Sequence, residues 1–301
     1  MAAQLVPLPE VERLSPRCIR ILGGNPGKFT LQGTNTYLVG TGRRRLLIDT
    51  AEGKPAWIDA VRRTLAEEGA SVSAALITHW HPDHVGGIGD LLALSPDTKI
   101  YKCQADADAD AGAVAGAGGS TMADIADGQV FEAEGASLTA VHTPGHTVDH
   151  MAFVLREEDA MFTGDNVLGQ GTAVFEELAV YLRSLARMKP LFKGRAYPGH
   201  GPVLEDGPAK IAEYIHHRAQ REEQVLATLQ SQRDGEAGAE VANGGTWTAI
   251  ELVRVIYRDV REDLHPAAER GLLQILDKLE KEGRVQRLDG GRWKLKSTSA
   301  L

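Results

Sequence analysis

Apolar and polar positions follow two periods along the chain, and the changes of period mark its elements. Thr34–Val39 and Arg45–Thr50 are strand-length apolar runs separated by Gly40–Arg44, which predicts a hairpin. Residues 56–68 carry Trp57, Ile58, Val61 and Leu65 at helical spacing and stop at Gly69, so a helix follows. Ala74–Ile77 then reads as a buried strand and Lys99–Cys103 as a short one. Three more strand-like runs, Leu138–His142, Ala160–Thr163 and Arg195–Tyr197, fall between 136 and 200. A helix with Phe175, Leu178, Leu182, Leu185 and Met188 on one stripe separates the last two.

The C-terminal third changes character. Residues 208–230 predict an amphipathic helix burying Ile211, Ile215, Val225 and Leu229, and 231–246 is a polar, Gly-rich linker. Thr248 and Glu251 form a capping-box pattern opening a helix with Ile250, Val253 and Ile256. Pro266 opens another, with Leu272, Ile275, Leu276 and Leu279, closed by Gly283. Val285–Leu288, the turn Asp289-Gly290-Gly291 and Arg292–Leu295 complete a hairpin, so this end reads as a winged-helix-like module. The predicted organisation is a catalytic domain over 1–206, helix and linker over 207–246, and the module over 247–301. Residues 104–120, rich in Asp, Ala and Gly, read as a solvated loop, because no EF-hand Glu follows Asp106, Asp108 and Asp110.

Composition narrows the classes. A net charge of −8 disfavours broad nonspecific binding to nucleic acid, although Arg284, Arg287, Arg292, Lys294 and Lys296 make the last hairpin locally basic. Cys18 and Cys103 are too few and too scattered for a disulfide framework or a thiolate metal site. No apolar stretch approaches the roughly 18 residues of a membrane span, and the N-terminus lacks a secretory pattern. The expectation is a soluble, cytoplasmic protein without membrane association, with a mitochondrial location left open.

Residues 78–87, THWHPDHVGG, concentrate metal-ligand types directly after the Ala74–Ile77 strand. His79 and His81, two apart on an extended exit, point the same way. Pro82 opens a helical turn that brings Asp83 and His84 back to the same place, while Gly86 and Gly87 allow close backbone packing. Each later strand-like run also ends on a ligand type: His146, Asp165 and His200. Seven groups exceed the three or so that one catalytic ion requires, which argues for two. The predicted division places His79, His81 and His146 on one ion, Asp83, His84 and His200 on the other, and Asp165 across both. Imidazole with carboxylate favours two zinc ions, with manganese or iron tolerated. A hydroxide held between such ions makes the reaction a hydrolysis, with Asp83 also exchanging a proton as the catalytic residue. Asp49 is a candidate partner for a ligating imidazole, His150 a candidate substrate contact, and Asn35 and Asn166 candidate oxyanion donors. Each of these four has a local structural alternative, and His142 reads as core.

The His-x-His-x-Asp-His run from His79 to His84, continued by His146, Asp165 and His200, resembles the metallo-β-lactamase superfamily. That resemblance implies an α/β fold, the αββα sandwich, with a dinuclear zinc site along its edge. LQGTNTYLVGTG (31–42), TPGHTVDHM (143–151), GDNVLGQGTAVFE (164–176), YPGHGPV (197–203) and the C-terminal module further resemble the lactamase-beta-2-like group, over nearly the whole chain. The group includes fungal thioesterases that release aryl polyketides, such as atrochrysone carboxylic acid, from an acyl carrier protein. It also includes single-strand endoribonucleases of animal mitochondria. The resemblance favours the thioesterase, with the acyl carrier protein domain of a non-reducing polyketide synthase as partner, over cleavage of single-stranded RNA. A non-catalytic interaction protein is the third class, and the complete ligand set weighs against it.

Overall fold

A computed structural model describes residues 5–105, 122–231 and 245–296. Most of the predicted 104–120 loop and of the 231–246 linker lies outside the described residues. Chain contacts separate two units, Met1–Glu176 with Val180–Ala212, and Glu177–Ala179 with Glu213–Leu301.

The first unit contains two sheets. One has six strands in sequence order: β1 (Val11–Arg13), β2 (Cys18–Leu22), β3 (Asn35–Val39), β4 (Arg44–Ile48), β5 (Ser71–Ile77) and β6 (Lys99–Lys102). The predicted hairpin is β3–β4, with Tyr37 opposite Ile48 and Val39 opposite Leu46. Helix α1 (Pro55–Glu68) makes the crossover from β4 to the parallel β5, and Gly69 closes it in the left-handed conformation. Two further short helices, α2 (Pro82–Val85) and α3 (Ile88–Leu94), lie between β5 and β6. The second sheet runs β11-β10-β9-β8-β7, from β7 (Val130–Ala133), β8 (Ala136–His142), β9 (Met151–Leu155), β10 (Ala160–Gly164) and β11 (Ala196–Pro198).

Strand alternation assigns the layers. Tyr37, Val39, Leu46, Ile48 and Leu76 turn inward to meet Leu138, Met151, Phe153, Phe162 and Tyr197 of the second sheet. Their neighbours Leu38, Leu47, Ala75 and Ile77 face outward, under Trp57, Val61 and Leu65 of α1 and Ile88 and Leu91 of α3. Helix α4 (Leu178–Met188) buries Tyr181, Leu185 and Met188, and Ser184 donates to the carbonyl of Pro144 (2.6 Å). The predicted stripe is thereby corrected: Tyr181 is buried and Leu182 is only half-buried, while Phe175 precedes the helix and stacks on Tyr181. The result is the predicted helix, sheet, sheet, helix order.

Apart from Glu177–Ala179, the second unit starts within α5 (Gly207–Ser231) and contains β12 (Trp247–Thr248), α6 (Ala249–Ile256), α7 (His265–Lys281), β13 (Val285–Leu288) and β14 (Arg292–Leu295). The capping box forms as read, Thr248 accepting from the Glu251 N–H while Glu251 accepts from the Thr248 N–H. Burial in α6 falls on Ala249, Leu252 and Val253, with Ile250 and Ile256 half-buried. The three strands pair in the order β12-β14-β13, the wing of a winged helix.

The inter-sheet core sets the stability of the first unit. Leu76 is fully buried between the sheets, so Leu76→Ala is expected to cost about 2–5 kcal/mol of unfolding free energy in a denaturant titration.

Candidate metal centre

The ligand-type residues sit on the exits of β5, β8, β10 and β11, so four loops converge at one end of the paired sheets. His79, His81 and His146 form one group. Asp83, His84 and His200 form another, and Asp165 joins His79 and His84 in a third. Within each group one ligand atom per residue lies within 4.8 Å of the others.

Outer partners fix which ring nitrogen faces inward. Thr78 Oγ1 has one proton, given to the Asp49 carboxylate at 2.9 Å, so it accepts from His79 Nδ1 (2.9 Å). His146 Nδ1 donates to the carbonyl of Val174 (2.7 Å). The Nε2 lone pairs of both rings therefore meet at His81 Nδ1, 2.9 Å from His79 and 3.0 Å from His146. His84 Nδ1 donates to Asp49 (2.7 Å), leaving its Nε2 beside Asp83 (3.4 Å), Asp165 (3.5 Å) and His200 Nε2 (3.4 Å). His200 Nε2 is 3.2 Å from Asp83 and 3.3 Å from Asp165.

Electrostatics divide the cluster. Burial pushes His79 well below the ordinary imidazole value, and burial with nearby His146 brings His81 down to about 4, so both rings are neutral. Burial also opposes charge on His84 and His200, but carboxylates outweigh it. Asp49, Asp165 and Asp83 raise His84 well above its ordinary value, and Asp165 and Asp83 raise His200 to about 9. Asp83 and Asp165 are held far below the usual carboxylate range despite burial, by His84 and His200. Asp165 Oδ1 is buried without a hydrogen-bond partner. Converging neutral imidazoles and an unpartnered buried carboxylate oxygen are the donor set a divalent cation satisfies.

Close packing holds this geometry. A Cβ on Gly87 would enter the Thr50 carbonyl and the Trp57 ring, and one on Gly199 would enter Asp165 Oδ1. Asp49 itself has φ 59, a left-handed conformation, and its Oδ1 accepts from the Thr78 N–H (2.8 Å).

The four residues given secondary roles are all buried. Asp49 orients His84. His150 accepts the Asp165 N–H on Nε2 (3.1 Å) and faces Thr143 Oγ1 through Nδ1, which ties it to the loop rather than to substrate. Asn35 gives its side-chain N–H groups to the carbonyls of Pro198 (2.9 Å) and Gly201 (2.8 Å), and Asn166 donates to Thr143 O (2.6 Å). These amides brace the ligand loops, in place of the expected oxyanion contact. His142 is half-exposed, its Nε2 donating to Val148 O (2.9 Å), which corrects the expected core position.

Other contributors carry weaker sequence signals. Thr34 donates to Asp83 (3.3 Å), and Thr78 links Asp49 to His79. Lys102 and Asp149 form a buried ion pair at 2.8 Å that ties β6 to the loop bearing His146. Its signal is a lysine at a buried position of the strand KIYK, in step with Ile100. The cluster floors a cavity of about 570 Å³ whose lining includes Phe29, Leu31, Leu168 and Val174.

The family model described as "Metallo-beta-lactamase superfamily" matches residues 29–200, and that of the beta-lactamase associated winged helix domain matches 248–293. An atrochrysone carboxyl ACP thioesterase of Aspergillus chevalieri is 48% identical over 297 residues, covering 97% of this chain and 91% of its own. The lactamase-like protein nscB of Arthroderma gypseum is 48% identical, covering 92% of this chain and 86% of its own. The solved beta-lactamase domain protein of Burkholderia ambifaria superposes with a TM-score of 0.75 at 18% identity, covering 97% of this chain and 96% of its own. A metallo-beta-lactamase family protein of Thermus thermophilus gives 0.69 at 26% identity, covering 94% and 100%. The chain belongs to the metallo-beta-lactamase superfamily and carries the winged-helix domain associated with it.

Asp49→Ala is expected to weaken divalent-metal affinity about 10–100-fold in a competitive chelator titration, because His84 loses the partner that sets its tautomer. Gly87→Ala is expected to lower the melting temperature as well, since Trp57 and Thr50 must move.

Proposed function

We propose that this protein is a metal-dependent hydrolase that cleaves an aryl polyketide thioester from the acyl carrier protein of a non-reducing polyketide synthase. The observation that carries this reading is a His/Asp cluster at the floor of a cavity with an apolar rim. It is supported by superfamily membership and by relatives named atrochrysone carboxyl ACP thioesterase.

In this reading His79, His81 and His146 hold one cation, Asp83, His84 and His200 a second, and Asp165 serves both, with zinc favoured. Such a centre, when bound, supplies Lewis-acid polarisation and a water acidified toward neutral pH. Asp83, the partly exposed carboxylate of the cluster, is placed to orient an attacking water and exchange a proton with it. Thr34 and His200 hold that carboxylate in place. The apolar rim covers the acyl group and limits competing water. A thiolate leaving group needs little protonation, so the reaction does not depend on a proton donor beside the cavity.

The endoribonuclease alternative leaned on the basic hairpin. In the second unit Arg284 pairs with Glu222, Arg287 with Asp277, and Arg292 with Glu251 at 3.1 Å. Three of the five cations are thus offset within their own unit, and among the described residues the cavity lining has one Lys and no Arg. Neither suits a polyanionic strand. No helix among the described residues is long and apolar enough to cross a membrane, and a cytoplasmic location remains part of this proposal.

Offered an aryl-acyl carrier protein and a single-stranded RNA side by side, the purified protein is expected to cleave the thioester alone. Chelation, His146→Ala or Asp165→Ala should each abolish turnover while circular dichroism stays native. RNA cleavage with an intact thioester would overturn the assignment.

A further inference from the structure

The loop between β2 and β3 places two side chains of opposite character at the cavity. Phe29 is 72% exposed, an unusual cost for a large aromatic side chain, and it lines the same cavity as His81, Asp83 and His146. Lys28 lies beside it, with Nζ 5.5 Å from the ring centroid, and among the described residues is the only Lys or Arg of that lining. The loop is anchored at its base: Asn25 donates to Thr34 Oγ1 (3.0 Å) and accepts the Thr34 N–H (2.9 Å), and Thr30 donates to the Asn25 carbonyl (2.6 Å). Thr34 in turn donates to Asp83, so the segment carrying the exposed pair is braced against the metal cluster.

We infer that Lys28 and Phe29 select the acyl group: a flat aromatic acyl carrying an acidic hydroxyl next to its carbonyl. This rests on the thioesterase reading. A ring in the cavity gains an aromatic face from Phe29, which an aliphatic chain would use only as apolar surface. Lys28 supplies the cation for a phenolate or strongly polarised phenol oxygen, and it already sits within reach of the ring it would share. Glu52, Asp83 and Asp165 of the lining are acidic and its histidines belong to the metal cluster, so Lys28 is the cation left to meet a ligand's phenolic oxygen. Val174, 63% exposed, and half-buried Leu168 extend the apolar surface for further fused rings.

The test measures kcat/KM for the N-acetylcysteamine thioesters of 2-hydroxybenzoate, benzoate and cyclohexanecarboxylate with wild type, Phe29→Leu and Lys28→Met. Wild type is expected to prefer benzoyl over cyclohexanecarbonyl, and 2-hydroxybenzoyl over benzoyl, each by about tenfold, the equivalent of one aromatic or cation contact. Phe29→Leu should collapse the first ratio toward one and Lys28→Met the second. A uniform loss across all three thioesters, or unchanged ratios, would overturn the inference. Binding of free 3-hydroxy-2-naphthoate, followed by its own fluorescence, separates the two levels. Weakened binding in both variants with no thioester turnover in wild type would retain the subsite and reject the thioesterase. Equal binding by all three proteins would reject the subsite whatever the turnover.

Discussion

The structure depends on imidazole nitrogens brought together against their own repulsion. His79 and His146 each spend Nδ1 on an outer partner, Thr78 and Val174, and so present Nε2 lone pairs to His81 at about hydrogen-bond distance. Protonation does not relieve the crowding at His79 or His81, because burial keeps both rings neutral. A shared cation does relieve it. On the other side, His84 and His200 lie among the carboxylates of Asp49, Asp83 and Asp165.

The remainder of the first unit serves this convergence. Two sheets packed on Leu76, Phe153 and Phe162 bring the exits of β5, β8, β10 and β11 to one edge. Loops of different chain position are then braced to one another: Asn35 to Pro198 and Gly201, Asn166 to Thr143, and Met151 N–H to the carbonyl of Thr78 (2.7 Å). The Lys102–Asp149 pair is a costly element of this bracing. A buried ion pair gains little over apolar packing, yet loss of one partner leaves a buried charge, at about 3–5 kcal/mol.

Much of this was legible in the residues. Period-two strands, the glycine that ends α1, the Thr248–Glu251 capping box and the final hairpin each rest on local chemistry that tertiary contacts reinforce. The ligand types were legible because His and Asp recur directly after strand ends. What escaped depended on partners far apart in the chain. Asn35 and Asn166 looked like oxyanion donors, since nothing local shows that Pro198 and Thr143 use their amides. His142 looked buried in an apolar run, but β8 ends on it and its ring reaches Val148 outside. The hairpin arginines looked free because their acidic partners, Glu222, Asp277 and Glu251, lie 10 to 62 positions away.

Anomalous scattering from crystals of the purified protein, collected on either side of the zinc edge, tests the central claim most directly. The account predicts two peaks, one among His79, His81 and His146 and one among Asp83, His84 and His200, with Asp165 adjoining both. A single peak, or metal bound only outside this cluster, would contradict it.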